Sequence, residues 1–235
     1  MRNIHIKSMD ESNLLIEWPG AISEDIMREI AAWQYAIEKN LSPIILECFA
    51  AYRSLLITYD HQQIDAEDLE IELLKLPVNK RKLRSKKWAI PVLYDEEVAP
   101  DLNAYCQEKK LTVKELIKKH TGNMYDIHFF GFLPGFMYLG GLDEHLAHPR
   151  KATPDKSIPA GSVAIGGQQT GIYPASSPGG WHVIGNSPIT LFDAKQDPPC
   201  PFKPGDKIKF KSVTKKQYEK IKSEVEQGTY KYQKA

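Results

Sequence analysis

Cysteine is scarce in this chain: three residues in 235, at positions 48, 106 and 200, with no C-x-x-C spacing. That leaves neither a disulfide framework nor a cysteine-based zinc site, and it fits a reducing cytoplasm. Glycine is present, but never as G-x-G, so the dinucleotide fingerprint is missing; G-K-[ST] and H-E-x-x-H are missing too. Ser162 sits in AGSVA rather than in G-x-S-x-G, which removes the nucleophile elbow of a serine hydrolase. No apolar run is long enough to span a bilayer, and MRNIHIKSMDESNLL lacks the apolar stretch of a signal peptide. A cytoplasmic protein with no membrane partner is the expectation. The net charge is only +1, from 31 basic and 30 acidic residues. Nucleic-acid binding would need a basic surface interleaved with aromatics on a larger scale. The one local excess is NKRKLRSKK at 79–87, six of nine basic, which reads as a solvated linker or strand edge.

What is there is ordinary globular material, 42% apolar and 26% charged, long enough to bury a sizeable core and to form two domains. The first part alternates between strand and helix periods. NLLIEW at 13–18 reads as a strand, and residues 23–40 place Ile26, Ile30, Trp33 and Ile37 at helical spacing behind Ser23 as N-cap. Residues 43–60 read as a hairpin around AAYR, 66–76 as a second helix, and 86–95 as a strand in which Pro91 demands an edge or a bulge. The order β-α-β-β-α-β is the split βαβ, ferredoxin-like pattern, which defines an α+β domain over 1–95. Two short helices, the second with Thr112 and Glu115 at capping-box spacing, are expected to connect the halves over 96–123.

From about residue 124 the composition shifts. Eleven of the 15 glycines lie between 131 and 185, and eleven of the 16 prolines between 134 and 204. The strand-like runs shorten to SVAIGG, WHVIG, PITLFD and DKIKFKSV, the pattern of an all-β barrel or sandwich over 124–235.

Three loops of this half carry the candidate site. FFGFLPGFMYLGG at 129–141 interleaves aromatics with Gly131, Pro134 and Gly135, and Phe136 follows directly; it could line a pocket or plug a barrel. Residues 148–174 offer Arg150 as a forked partner for a carboxylate or phosphate, Gly161 for its backbone amide, and Ser162, Gln168, Gln169 and Tyr173 as neutral hydrogen-bonders. SSPGGWHVIG at 176–185 adds Gly179, Gly180, Trp181 and His182. Trp181 and His182 are consecutive in a strand-like run and so point to opposite faces. If Trp181 is core, His182 faces solvent or a partner, and it is the one weak catalytic candidate, with no second catalytic residue assigned by spacing.

Taken together, the stretch from GFLPGF through HPRKATPDKSIPAGSVAIGGQQTGIYPASSPGGWHVIG to PITLFD resembles the allophanate hydrolase subunit 1 family. That family includes the B subunits of 5-oxoprolinases and the sporulation kinase A inhibitor. The resemblance is strong over roughly 125–210. It implies an N-terminal α/β domain followed by a cyclophilin-like β-barrel, and a function exercised with partner A and C subunits that hydrolyse 5-oxo-L-proline to L-glutamate at the expense of ATP. The ATP would then be bound largely by another subunit. It leaves open the alternative of a protein-binding inhibitor of a sensor histidine kinase. Two cationic positions usual in the family are replaced here by Asp155 and Asn186, a loss that Lys156 would have to offset.

Overall fold

The computed structural model describes residues 3–79 and 85–235, so most of the basic run, residues 80–84, lies outside the described residues. Two compact units divide at 84/85. The first contains β1 (His5–Ser8), β2 (Asn13–Glu17), α1 (Glu24–Asn40), β3 (Ile45–Ala50), β4 (Ser54–Tyr59) and α2 (Ala66–Lys75). Its sheet has the order β1-β2-β4-β3, every pairing antiparallel. Strand alternation sends Leu14, Ile16, Leu55, Ile57 and Tyr59 to one face, where they form a core with Ile26, Ile30, Trp33 and Ile37 of α1 and Leu69 and Leu73 of α2. Ser23 and Asp65 cap the two helices by accepting from Ile26 N–H and Asp68 N–H.

This sheet departs from the expected six-element order in its last member. The strand expected at 86–95 does not return to it; the place beside β2 is filled by β1, from the N-terminal end of the chain. His5–Ser8 alternates too few apolar residues to announce itself as a strand, and only its pairing with β2 defines it.

The second unit runs through β5 (Lys87–Val92), α3 (Leu102–Glu108), α4 (Val113–Gly122), β6 (Tyr125–Phe130), β7 (Met137–Gly140), β8 (Asp155–Ile158), β9 (Ser162–Gly166), β10 (Gln169–Ile172), β11 (Ser177–Gly179), β12 (His182–Asn186), β13 (Lys207–Ser212), α5 (Lys215–Glu226) and β14 (Gln233–Lys234). Eight strands form one sheet in the order β12-β9-β10-β7-β6-β13-β5-β14, and β8 pairs separately with β11. The large sheet closes on itself. Leu93 N–H donates to Asn186 O at 2.8 Å and Asn186 N–H returns the bond to Leu93 O at 2.9 Å, joining the end of β5 to β12 and leaving β14 outside the circuit. The interior is filled by residues such as Ile90, Ile127, Met137, Val163, Ile172 and Phe210. Pro91 sits beyond the two residues of β5 that β14 pairs, at a stretch with no ladder on that side.

The helices expected to connect the halves lie within the second unit, α3 against β12 and α4 against β13. The unit boundary therefore precedes β5 and differs from the expected 95 and 123. Thr112 and Glu115 do form the capping box of α4. At the entry to β5, fully buried Asp206 accepts from Lys86 N–H at 2.8 Å and from Trp88 Nε1–H at 2.9 Å. Asp206→Ala strands both donors in the interior, and we expect a loss of about 2–3 kcal/mol in the unfolding of the second unit, read by denaturant titration; an unchanged midpoint would show that water serves the two donors equally well.

Candidate functional site

The loops at 131–136, 148–161 and 173–181 come together at one side of the closed sheet. Phe136 is their centre: its ring lies 5.5 Å from Tyr173 and 5.6 Å from Trp181, both edge-to-face. All three side chains are buried, at 2%, 2% and 5% exposure, so they pack against one another and do not line an open hollow. Arg150 is exposed and places its guanidinium 5.7 Å from the Trp181 ring.

The glycines beside these rings owe their place to space. A Cβ on Gly166 would stand 2.4 Å from Cδ1 of Trp181, and one on Gly179 would stand 2.4 Å from the Tyr173 hydroxyl. At Gly161 the backbone conformation is decisive as well: φ is +79°, and a Cβ would meet Ser187 O at 2.3 Å.

The remaining sequence candidates scatter by environment. Pro134 and Gln168 are exposed, while Gly135 is buried against Phe192. Ser162 is wholly buried and its hydroxyl has no hydrogen-bond partner. Gly180 accepts at its carbonyl from Lys151 N–H at 2.7 Å. Tyr173 has its phenol pushed up to about 12, chiefly by burial, with the nearby Arg150 charge acting in the opposite direction.

His182 does face away from the core, half-buried. Its Nε2–H donates to Pro149 O at 2.9 Å, which fixes the tautomer. Its ring lies 4.6 Å from that of His148, whose Nε2 meets Glu108 Oε2 at 2.8 Å, and both imidazoles pack on Tyr105. Glu108, Tyr105 and Asp101 come from α3 and its N-cap, more than 40 positions before His182; no local spacing signals the meeting.

The two departures from the family pattern have structural partners. Lys151, not Lys156, answers Asp155: its Nζ lies 2.5 Å from Asp155 and 2.8 Å from Asp101, and Asp101 also accepts from Val183 N–H at 2.7 Å. Burial works against the Lys151 ammonium, yet its bonds to Asp101 and Asp155 hold its pKa above the ordinary lysine value. Lys156 is exposed. Asn186 is buried, donating to Ala160 O at 3.1 Å and accepting from the Tyr218 hydroxyl at 2.7 Å, which ties α5 to the loop before β9. Of the aromatics in the 129–141 loop, which include Phe129, Phe130, Phe132, Phe136 and Tyr138, Phe132 is the one that stays open, 58% exposed at φ +64° beside Phe136 and Tyr173. Among the described residues no group of three or more His, Cys, Asp or Glu could hold a metal ion, and no helix is long and apolar enough to cross a membrane.

Residues 4–202 match the carboxyltransferase domain, subdomain C and D, and the chain belongs to that family, the one that includes the 5-oxoprolinase B subunits. It is 35% identical over 237 residues to the 5-oxoprolinase B subunit of Bacillus subtilis (strain 168), covering 93% of this chain and 97% of that one. Relatives in Haemophilus influenzae and Escherichia coli O157:H7 carry the same name. Among solved structures it resembles TTHA0988, at 30% identity and a TM-score of 0.77 over 86% of this chain; it spans only 40% of that chain's length. Kluyveromyces lactis urea carboxylase shares the fold, with a TM-score of 0.80 at 18% identity over 99% of this chain and 24% of that enzyme.

Proposed function

We propose that this chain is the B subunit of an ATP-dependent 5-oxoprolinase, acting with the A and C subunits to open 5-oxo-L-proline to L-glutamate, and that it is inactive alone. The observation that carries the reading is the match to a 5-oxoprolinase B subunit across nearly the whole of both chains. The closed sheet of the second unit agrees with the cyclophilin-like barrel that the family resemblance implies. Of the two roles the resemblance left open, the names of the relatives favour the hydrolase over a kinase inhibitor.

The chain's own residues support a dependent role. Opening a lactam needs an activated carbonyl, delivered water and preorganised donors for the charge that develops. The three loops supply an exposed cation at Arg150 and an exposed aromatic at Phe132, but their hydroxyls at Ser162 and Tyr173 are buried, and neither is paired with a base. The residues do not fit a nucleotide-metal site either: the sequence has no glycine-rich phosphate loop, and the described residues hold no carboxylate cluster. These absences support the reading that ATP is bound largely by another subunit. The test is 5-oxoproline-dependent ADP release by the purified chain, by its partners and by the mixture. Turnover is expected only from the mixture; robust turnover by the single chain overturns the proposal.

A further inference from the structure

Phe132 holds a backbone conformation that a bulky residue avoids. Leu133 N–H donates to Gly131 O at 2.7 Å, closing a three-residue turn around Phe132 at φ +64°. This is the strained hand of the γ-turn, unfavourable by roughly 1–3 kcal/mol for a side chain with a Cβ. Two more bonds clamp the loop: Gly131 N–H to Phe136 O at 3.3 Å and Phe136 N–H to Leu133 O at 3.0 Å. Burial does not compensate for the strain. Among the described residues of the second unit, Phe132 is the only large apolar side chain that stays exposed. Its ring is fixed by edge-to-face contacts with Phe136 at 5.6 Å and Tyr173 at 6.3 Å, with 58% of the residue open to solvent. A strained residue that presents an aromatic ring to solvent is placed for something outside the chain.

What it is placed for follows from its neighbour. Arg150 rests its guanidinium 5.7 Å from the Trp181 ring, and its charge opposes the rise that burial imposes on the Tyr173 phenol. Phe132 and Arg150 thus border one aromatic cluster, Phe132 against Phe136 and Tyr173 and Arg150 against Trp181, which itself packs on Phe136; one offers an aromatic ring and the other a guanidinium fork. A ligand that satisfies both has a small flat ring that can stack on an aromatic face and one carboxylate.

We propose that Phe132 and Arg150 form a substrate subsite, Phe132 taking the five-membered lactam ring and Arg150 the carboxylate of 5-oxoproline. The inference rests on the function proposed above and adds to it the residues that select the substrate. The experiment uses the reconstituted complex and measures kcat and KM for 5-oxoproline, equilibrium binding of radiolabelled 5-oxoproline without ATP, subunit association, and the melting temperature. Phe132→Gly is expected to raise KM about tenfold while the melting temperature holds or rises, because glycine relieves the turn. Arg150→Gln is expected to raise KM about 10- to 100-fold. Phe132→Tyr, which restores a ring, is expected to restore KM. A purely structural Phe132 would instead lower the melting temperature and leave KM alone, which overturns the proposal. Weaker subunit association at unchanged KM also overturns it, by making Phe132 a protein-docking residue. A wild-type complex that does not turn over 5-oxoproline removes the functional reading itself and this subsite with it.

Discussion

Trp181→Ala will destabilise the second unit by about 3–5 kcal/mol, and in that background Gly166→Ala will be nearly silent. The indole is 5% exposed and packs on Phe136, with its Cδ1, Nε1 and Cγ atoms all within 2.6 Å of where a Gly166 Cβ would stand. In the wild-type background the same alanine overpacks the site and costs about 1–3 kcal/mol. The two changes therefore combine non-additively, because the clash needs the ring. Denaturant titration followed by circular dichroism reads all four members of the cycle. The first unit's transition, reported by the Trp18–Trp33 edge-to-face pair, should stay where it is, since that core is built from its own residues. Strict additivity would show that the indole moves aside freely and that the glycine is there for another reason.

The second large effect is acid lability from His120. This imidazole is fully buried inside the closed sheet, stacked on Phe210 at 4.5 Å. Thr170 Oγ1 donates to Ala164 O at 3.0 Å, so toward His120 it accepts, from Nε2–H at 2.9 Å; Nδ1 then accepts from the Tyr94 hydroxyl at 2.7 Å. The neutral ring is fully bonded, and a second proton on Nδ1 would have to turn the Tyr94 hydroxyl hydrogen away and place a charge in the interior. Burial pushes the pKa down from 6.5 to about 3. The unfolded chain takes up the proton near pH 6.5 and the folded chain does not. The stabilisation is thus complete above pH 6.5 and is lost as pH falls toward 3. Between pH 6.5 and 5, before the carboxylates titrate, the loss should be about 2 kcal/mol. His128, whose pKa burial also lowers, acts in the same direction. His120→Gln should be less stable at pH 7 but flatter across that window; parallel pH profiles for the two proteins would exclude His120 as the source.

Much of the local structure was written in the chain. The stripe Ile26, Ile30, Trp33 and Ile37 behind Ser23 made α1, and Thr112 with Glu115 made the start of α4, because periodicity and capping are interactions over three or four residues. The shift to glycine and proline after 124 announced short strands. The candidate site was legible as three loops; alternation set Trp181 and His182 on opposite faces, and only the burial of Trp181 decided which of them faces outward. What those residues touch was not legible. Glu108 reaches His148 across 40 positions and Asp101 reaches Val183 across 82, and the sequence offers no period that long. Asp155 and Asn186 looked like lost cations; one is answered by Lys151 and the other is bonded on both sides of its amide.

By itself the sequence determined the helices and most strands, through periodicity and capping between near neighbours, and its long loop motifs carried the family. Tertiary structure alone decided that residues 87–92 leave the first sheet for the second, that His5–Ser8 takes the vacated place, and that Phe136, Tyr173 and Trp181 are packed while Phe132 and Arg150 face outward. The reason is that strand pairing and burial depend on which distant segments compete for the same edge or the same volume, and that competition is resolved only when the whole chain is folded.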